Sequence, residues 1–301
     1  MTVVVDAGEY LAPGFRVIEH LSRTRRLDTF EVWSEERACS CVAKTLRPDR
    51  RGDERARAAL EQEGRLLVEL THPHIVRGYE LLTEPELIAV METLDGETVA
   101  HLVDRNPDGL PAGDVAWLGI HLASALRYLH GRGLLHLDVK PSNVVADGGR
   151  AKLIDLSLAR PPGRYSPGVG TWCNLAPEQA RGDFLGAAAD TWGLGTVLYE
   201  AATGRAAFDD DESWTDDVSE EPTGASEEPA GESAHTWDTG EQLAAGYPQL
   251  AAPAPPVAAQ RDDLPEDIAA AIDACLAPAP EDRPALDELV EILTAAQPLQ
   301  G

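Results

Sequence analysis

Apolar and polar positions along this chain form two different rhythms. Strand-like runs come first, at Phe15–Ile18, Phe30–Trp33 and Cys41–Lys44, each short and rich in β-branched or aromatic residues. From Arg50 to Leu70 the spacing of Leu60, Leu66, Leu67 and Leu70 predicts a helix. Strand-like runs return at Ile75–Leu82 and Leu87–Met91, and residues 92–96 read as a connector. Beyond it the pattern is mainly helical. Ala112–His130 ends at the glycine signal Gly131-Arg132-Gly133, and Ala187–Ala202 closes at Thr203-Gly204. Pro265–Leu276 and Pro284–Ala295 each carry a proline near the start, where its missing N–H costs nothing. Two short strands, Val144-Val145 and Leu153-Ile154, flank the turn Ala146–Gly149. The prediction is α+β: a small sheet with one helix, then a larger helical part. Residues 1–14 read as a poorly ordered lead-in ending at Pro13-Gly14.

Composition narrows the classes. At 301 residues, 43% hydrophobic and 26% charged, the chain can bury a sizeable core. A formal net charge of −27 argues against nucleic acid or an anionic membrane as a general partner. No apolar run reaches membrane-spanning length and the N-terminus lacks a basic region followed by an apolar one, so a cytoplasmic location is expected. Cys39, Cys41, Cys173 and Cys275 show no metal-ligand spacing and read as reduced thiols. Residues 209–260 hold 13 acidic residues and no Lys or Arg, which predicts a disordered insert. A solubilising loop is weighed there above a docking surface for a soluble regulator. Of 25 basic residues only Lys44, Lys140 and Lys152 are lysines. Lys at 44 and 140, in a chain that otherwise uses Arg, suggests a need for a compact point charge, as phosphate binding has.

The chemistry concentrates in His136-Leu137-Asp138-Val139-Lys140-Pro141-Ser142-Asn143 and in Asp155. The hairpin puts Asp138, Lys140 and Asn143 on a tight loop entering one strand and Asp155 at the exit of the other. Asp138 and Lys140 can then act on a hydroxyl and a phosphate at one point, while Asn143 and Asp155 supply oxygens suited to a hard cation such as Mg²⁺. The alternative is a polar hairpin whose Asp and Asn cap turns.

This spacing resembles the catalytic loop and metal segment of the protein kinase family, H-R-D-x-x-x-x-N followed by D-F-G. The resemblance spans about residues 15–297 and implies a two-lobed fold: a small antiparallel-sheet lobe over 15–91, a hinge at 92–96 and a mainly helical lobe over 97–297. It implies that Lys44, in Val42-Ala43-Lys44, holds the ATP phosphates with Glu63 as its partner. It also implies that Met91 backs the adenine pocket, that Glu92 and Leu94 offer backbone bonds to adenine, and that Ala43 and Val145 sandwich the purine. Asn143 and Asp155 would hold Mg²⁺, Asp138 would take the proton of the acceptor hydroxyl, and Lys140 would neutralise the γ-phosphate. Gly170-Thr171, Ala176-Pro177-Glu178, Asp190 and Arg283 resemble landmarks that separate protein kinases from small-molecule kinases, and Lys140 with Thr171 resembles the serine/threonine branch. The implied partner is therefore a protein with Ser or Thr hydroxyls.

Three departures stand against that pattern. The segment Leu21–Val32, where a glycine-rich loop belongs, has no glycine, and Arg23, Arg25 or Arg26 are alternatively phosphate donors or surface charge. Ser157 stands where D-F-G has glycine. Leu137 replaces the catalytic-loop arginine, which argues against switching by phosphorylation of Tyr165 or Ser166. Two functions follow, an active serine/threonine kinase or a pseudokinase that binds without transferring phosphate. Phosphorylation of a small molecule is a weaker third.

Overall fold

Alternation in the first strands builds a sheet with two working faces. In the computed structural model, which describes residues 5–208 and 246–296, a six-stranded sheet runs in the order β1-β2-β3-β4-β6-β5. Its strands are β1 (Tyr10–Ala12), β2 (Phe15–Arg23), β3 (Leu27–Ser34), β4 (Cys39–Leu46), β5 (Gly78–Leu82) and β6 (Ile88–Glu92), and every neighbouring pair is antiparallel. Phe30, Val32, Cys41 and Ala43 face an outer apolar cluster with Ala12, Phe15 and Val17. The opposite face of β3 and β4, with Thr29, Val42 and Lys44, looks into the cleft below. The lead-in expected over 1–14 is thus partly a strand. Pro13-Gly14 is the turn of a hairpin, with Gly14 at φ 82° and Ala12 buried opposite Phe15.

Helix α1 (Glu54–Glu69) starts later than its apolar spacing suggests, because Pro48–Arg50 forms a 3-10 turn first. The Asp53 carboxylate then caps it by accepting from the Ala56 N–H at 3.0 Å. Its inner face carries Ala56, Leu60, Glu63, Gly64 and Leu67. The predicted strand over 75–82 is also shorter than expected. Its first residues are drawn away: Val76 N–H donates to the Leu153 carbonyl, and Leu153 N–H donates to the His74 carbonyl, both at 2.9 Å.

Between the lobes the chain crosses at residues 93–96. Gly96 is required there, because a Cβ would lie 1.8 Å from the Ala146 carbonyl oxygen. The large lobe holds a three-stranded sheet of β7 (Glu97–Thr98), β8 (Val144–Asp147) and β9 (Arg150–Leu153), and a two-stranded one of β10 (Gly163–Arg164) and β11 (Phe184–Leu185). Its helices among the described residues are α2 (Val99–Asp104), α3 (Ala112–His130), α4 (Pro177–Arg181), α5 (Ala187–Thr203), α6 (Pro248–Ala251), α7 (Val257–Gln260), α8 (Glu266–Cys275) and α9 (Leu286–Ala295). Helix α5 is apolar nearly all round and is the buried centre, with Trp192, Leu194, Val197, Leu198 and Tyr199 enclosed.

The buried Arg283–Glu178 pair in this lobe is fully satisfied. The Arg283 guanidinium donates to both Glu178 oxygens at 2.6 and 2.9 Å and to the carbonyls of Ala277, Ala188 and Pro278, using all five of its N–H groups.

Most of the acidic insert expected over 209–260 lies outside the described residues. Its last part, 246–260, contradicts the expectation of disorder. Gln249 donates its amide to the carbonyls of Trp172 and Leu175, both at 3.0 Å, and Val257 is buried. Ala- and Pro-rich composition reads as loop, but here tertiary contacts order it. No helix among the described residues is long and apolar enough to cross a membrane.

The lobes also meet at a histidine stack. His74 and His121 rings lie 4.1 Å apart and 17° from parallel. Both bind the backbone of Ala151: its carbonyl accepts from His74 Nδ1 at 2.9 Å, and its N–H donates to His121 Nδ1 at 3.2 Å. His121 Nδ1 must therefore be unprotonated. Burial, with His74 and Arg150 nearby, pushes its pKa down from 6.5 to about 4, and burial pushes those of His72 and His74 down as well. A folded pKa below the unfolded one means that the unfolded chain binds more protons between these values, so stability falls as pH drops from 6.5 towards 4. Thermal melts across that window should show a loss on the order of 1–3 kcal/mol, reduced in His121→Gln. A flat profile would show the stack to be indifferent to charge.

Candidate active site

A cleft of about 590 Å³ opens between the lobes, lined by Val42, Lys44, Glu63, Met91, Glu92, Leu94, Val145 and Asp155 and roofed by Ser22, Thr24, Arg25 and Arg26. Of the residues expected to hold nucleotide, Ala43 and Asn143 are not among its walls. Lys44 faces the cleft, and a strand's side chains alternate with period two. Val42 therefore shares the face of Lys44, while Ala43 turns into the outer cluster and is fully buried. Val42 lies across the cleft from Val145, and alternation alone could have identified it.

Lys44 donates to Glu63 at 2.7 Å and lies 3.6 Å from Asp155. Burial alone would lower the lysine's pKa, but the Glu63 and Asp155 carboxylates outweigh it and hold the ammonium well above its ordinary value. Burial would likewise raise Asp155. Lys44 and hydrogen bonds from Ser157 overcome it and hold its pKa at about 2. Lys44 and Asp155 are thus both held in their charged forms, while burial pushes the Glu63 carboxyl up from its ordinary value against the pull of Lys44. Asp155 sits at φ 64°, a left-handed backbone that side chains rarely adopt. Ser157 donates its N–H to Asp155 Oδ1 at 3.1 Å, and the positive φ falls on Asp155 rather than on Ser157, so glycine's freedom is not needed there. Leu156 is buried in the main core.

Asp138 is gripped from three sides. Its Oδ1 accepts from the Thr171 hydroxyl at 2.6 Å. Its Oδ2 accepts from the Asn143 amide at 2.8 Å and lies 3.2 Å from Lys140 Nζ. Lys140 in turn donates to Thr171 Oγ1 at 2.6 Å. The loop carrying them is held by a helix. Asp190, one turn into α5, accepts from the backbone N–H groups of His136 and Leu137 at 2.9 and 2.8 Å and pairs with His130 at 2.7 Å. Leu137 itself stands at φ 64°, and its carbonyl accepts from the Gln179 amide at 3.0 Å. Gln179, which sequence reasoning did not single out, also binds the Val169 carbonyl at 2.8 Å and so ties this loop to the segment after Asp155.

Glu92 has a side-chain role that its proposed backbone one did not suggest. Its carboxylate accepts from the Arg77 N–H at 2.8 Å and from Lys152 Nζ at 2.5 Å. All three lysines of the chain are therefore ion-paired to carboxylates at or beside the cleft. Among the arginines offered as phosphate donors, Arg23 is corrected. It is turned onto buried Asp28, at 2.6 and 2.9 Å, whereas Arg25 and Arg26 line the cleft.

The family model for the protein kinase domain matches residues 28–293. The chain belongs to the protein kinase family. Relatives include a probable serine/threonine-protein kinase PknB of Lactococcus lactis, 28% identical over 218 residues, covering 70% of this chain and 35% of that protein. PkaA of Streptomyces coelicolor is 39% identical over 157 residues, covering 49% and 29%. PknB of Mycobacterium tuberculosis is 31% identical over 219 residues, covering 68% and 33%. This kinase domain thus matches about a third of the length of these relatives. Among solved structures, the Mycobacterium tuberculosis PknI kinase domain superposes with a TM-score of 0.66 at 24% identity, over 97% of this chain and 99% of that one. The two-lobed fold expected from the sequence is the fold observed.

Asp190→Ala would leave two buried N–H groups without acceptors, costing roughly 2–5 kcal/mol. Denaturant melts check this, and an unchanged midpoint would mean that the loop is held by other contacts.

Proposed function

We propose that this domain is an active protein kinase that moves the γ-phosphate of ATP to serine or threonine hydroxyls of proteins. The observation that carries the reading is the junction of Lys44 with both Glu63 and Asp155 in one cleft. Two carboxylates and one cation held at fixed spacing suit a substrate that arrives as a polyphosphate with a divalent cation. Phosphoryl transfer depends chiefly on such positioning and charge stabilisation.

The residues present fit that cation. Asn143 uses its amide nitrogen on Asp138, which leaves its carbonyl oxygen to serve, with Asp155, as a ligand. Mg²⁺ bound there would neutralise charge on the phosphates. Lys44 would hold the α- and β-phosphates, kept charged and oriented by Glu63. Asp138 uses three of its roughly four acceptor positions on Thr171, Asn143 and Lys140, leaving one to orient the acceptor hydroxyl and take its proton. Lys140 would meet the transferred phosphate. Val42 and Val145 would enclose the purine, Met91 would back it, and backbone groups of Glu92 and Leu94 in the hinge would bind its edge. The serine/threonine preference is supported by Thr171, which bridges Asp138 and Lys140, and by the names of the relatives.

One feature favours a second reading, a pseudokinase that binds nucleotide as a scaffold. The strand pair over the cleft lacks glycine, so backbone N–H groups cannot approach phosphate as closely.

Transfer of labelled γ-phosphate from Mg·ATP to a generic basic protein separates the two readings. The parent should show transfer, and Asp138→Asn should reduce it by at least about a hundredfold. Nucleotide-dependent thermal stabilisation without transfer in the parent would establish the scaffold instead.

A further inference from the structure

The hairpin over the cleft is built unlike a glycine-rich loop. Its turn spans Thr24 to Arg26, between β2 and β3. The Thr24 N–H donates to the Leu27 carbonyl at 2.9 Å, and the Leu27 N–H donates to Thr24 Oγ1 at 3.1 Å. Such a turn has side chains at every position, so its backbone has less conformational freedom to lose than glycine would.

The tip is also fastened from outside. Arg47 Nη1 donates to the Thr24 and Arg25 carbonyls at 3.2 and 3.3 Å. The other edge of the same guanidinium forms a bidentate pair with Asp49, at 3.0 Å through both Nε and Nη2. The backbone adds a third tie, from the Arg47 N–H to the Arg26 carbonyl at 3.0 Å. A fourth is the Arg26 guanidinium, 3.8 Å from Asp53. Asp49 lies in the 3-10 turn leading to α1, and Asp53 caps α1 itself. The chain from Lys44 through Arg47 and Asp53 to Glu63 is therefore one continuous stretch, and the hairpin tip is bonded to its middle. On the outer face Arg23 and His20 of β2 converge on buried Asp28 of β3, which locks the two strands to each other.

We infer that Arg47 is a positioning residue that joins the hairpin to the helix bearing Glu63, so that the phosphate-covering turn and the Lys44–Glu63 pair form one rigid body. The inference rests on the proposal that nucleotide occupies the cleft. In a glycine-rich loop, close backbone approach binds phosphate and binding must order the loop. Here the order is built in beforehand, and the turn presents Arg25 at the mouth of the cleft. Pre-ordering removes part of the entropic cost of ligand binding, which compensates for the missing glycine contacts.

Amide hydrogen exchange over residues 22–28 tests this, together with titrations of Mg·ATP and of adenosine, on the parent, Arg47→Ala and Arg47→Lys. In Arg47→Ala the hairpin amides should exchange faster and Mg·ATP should bind about tenfold more weakly. Adenosine, which carries no phosphate, should bind as it does to the parent. Arg47→Lys should behave like the alanine variant, because an ammonium cannot pair bidentately with Asp49 and still reach two carbonyls. Unchanged exchange, unchanged Mg·ATP affinity, or an equal loss for adenosine would each overturn the role. If the parent binds neither ligand, the nucleotide reading falls and this role with it. A parent that binds beside an indifferent variant overturns this role alone.

Discussion

A single buried carboxylate sets the geometry of the loop that carries Asp138, Lys140 and Asn143. Asp190 is almost wholly enclosed, and it accepts from two consecutive backbone N–H groups, those of His136 and Leu137. Those bonds fix the loop at its sharpest point, where Leu137 takes a left-handed backbone that an unconstrained leucine would avoid at a cost of about 1–2 kcal/mol. Because the loop is pinned at its root, Asp138, Lys140 and Asn143 need only short reaches to meet Thr171 and one another. The strain and the hydrogen bonds belong together: neither would persist without the other. Helix α5, apolar on nearly every side, is what keeps Asp190 from shifting.

The small lobe solves a parallel problem with charge instead of burial. Lys44 sits on a strand face and Glu63 on a helix face, and their ion pair brings α1 against the sheet at the one height where Asp155 is also near. Three charged groups in a partly closed cleft would be costly if unpaired. Asp155, held ionised beside Lys44, is the carboxylate left to meet a cation, and Lys44 is the cation left to meet phosphate. Between the lobes, Glu92 joins Arg77 of one lobe to Lys152 of the other, and the His74–His121 stack joins both to Ala151. The lobes are therefore linked by polar contacts beside the cleft as well as by Lys44 and Asp155 within it.

The outcome for Leu137 and Ser157 shows how a departure in sequence is absorbed by the local structure. Leu137 cannot meet a phosphate as arginine would, and its side chain is buried in the core instead. Ser157 keeps the backbone N–H that binds Asp155, and nothing in its conformation calls for glycine. The hairpin, which lacks glycine, is held through contacts made by Arg23 and Arg47 with residues 5 or more than 20 positions away.

Spacing along the chain was enough to place the sheet and the long helices, because these depend on local periodicity. Loop spacing drew attention to Asp138, Lys140, Asn143 and Asp155, whereas the pairing of Lys44 with Glu63 was expected only from the resemblance to protein kinases. Alternation also held the answer for Val42 against Ala43, since the face of a strand is a local property. Other features were decided only by folding. The strand-like run after His74 went to Leu153 rather than wholly to β6, residues 246–260 were ordered by Trp172 and Leu175, and Arg23 chose Asp28 over the cleft. In each of these the deciding partner is a backbone carbonyl, a backbone N–H or a buried carboxylate that another segment brings near. Neither hydropathy nor spacing along the chain encodes such a meeting; it exists only once the segments are packed.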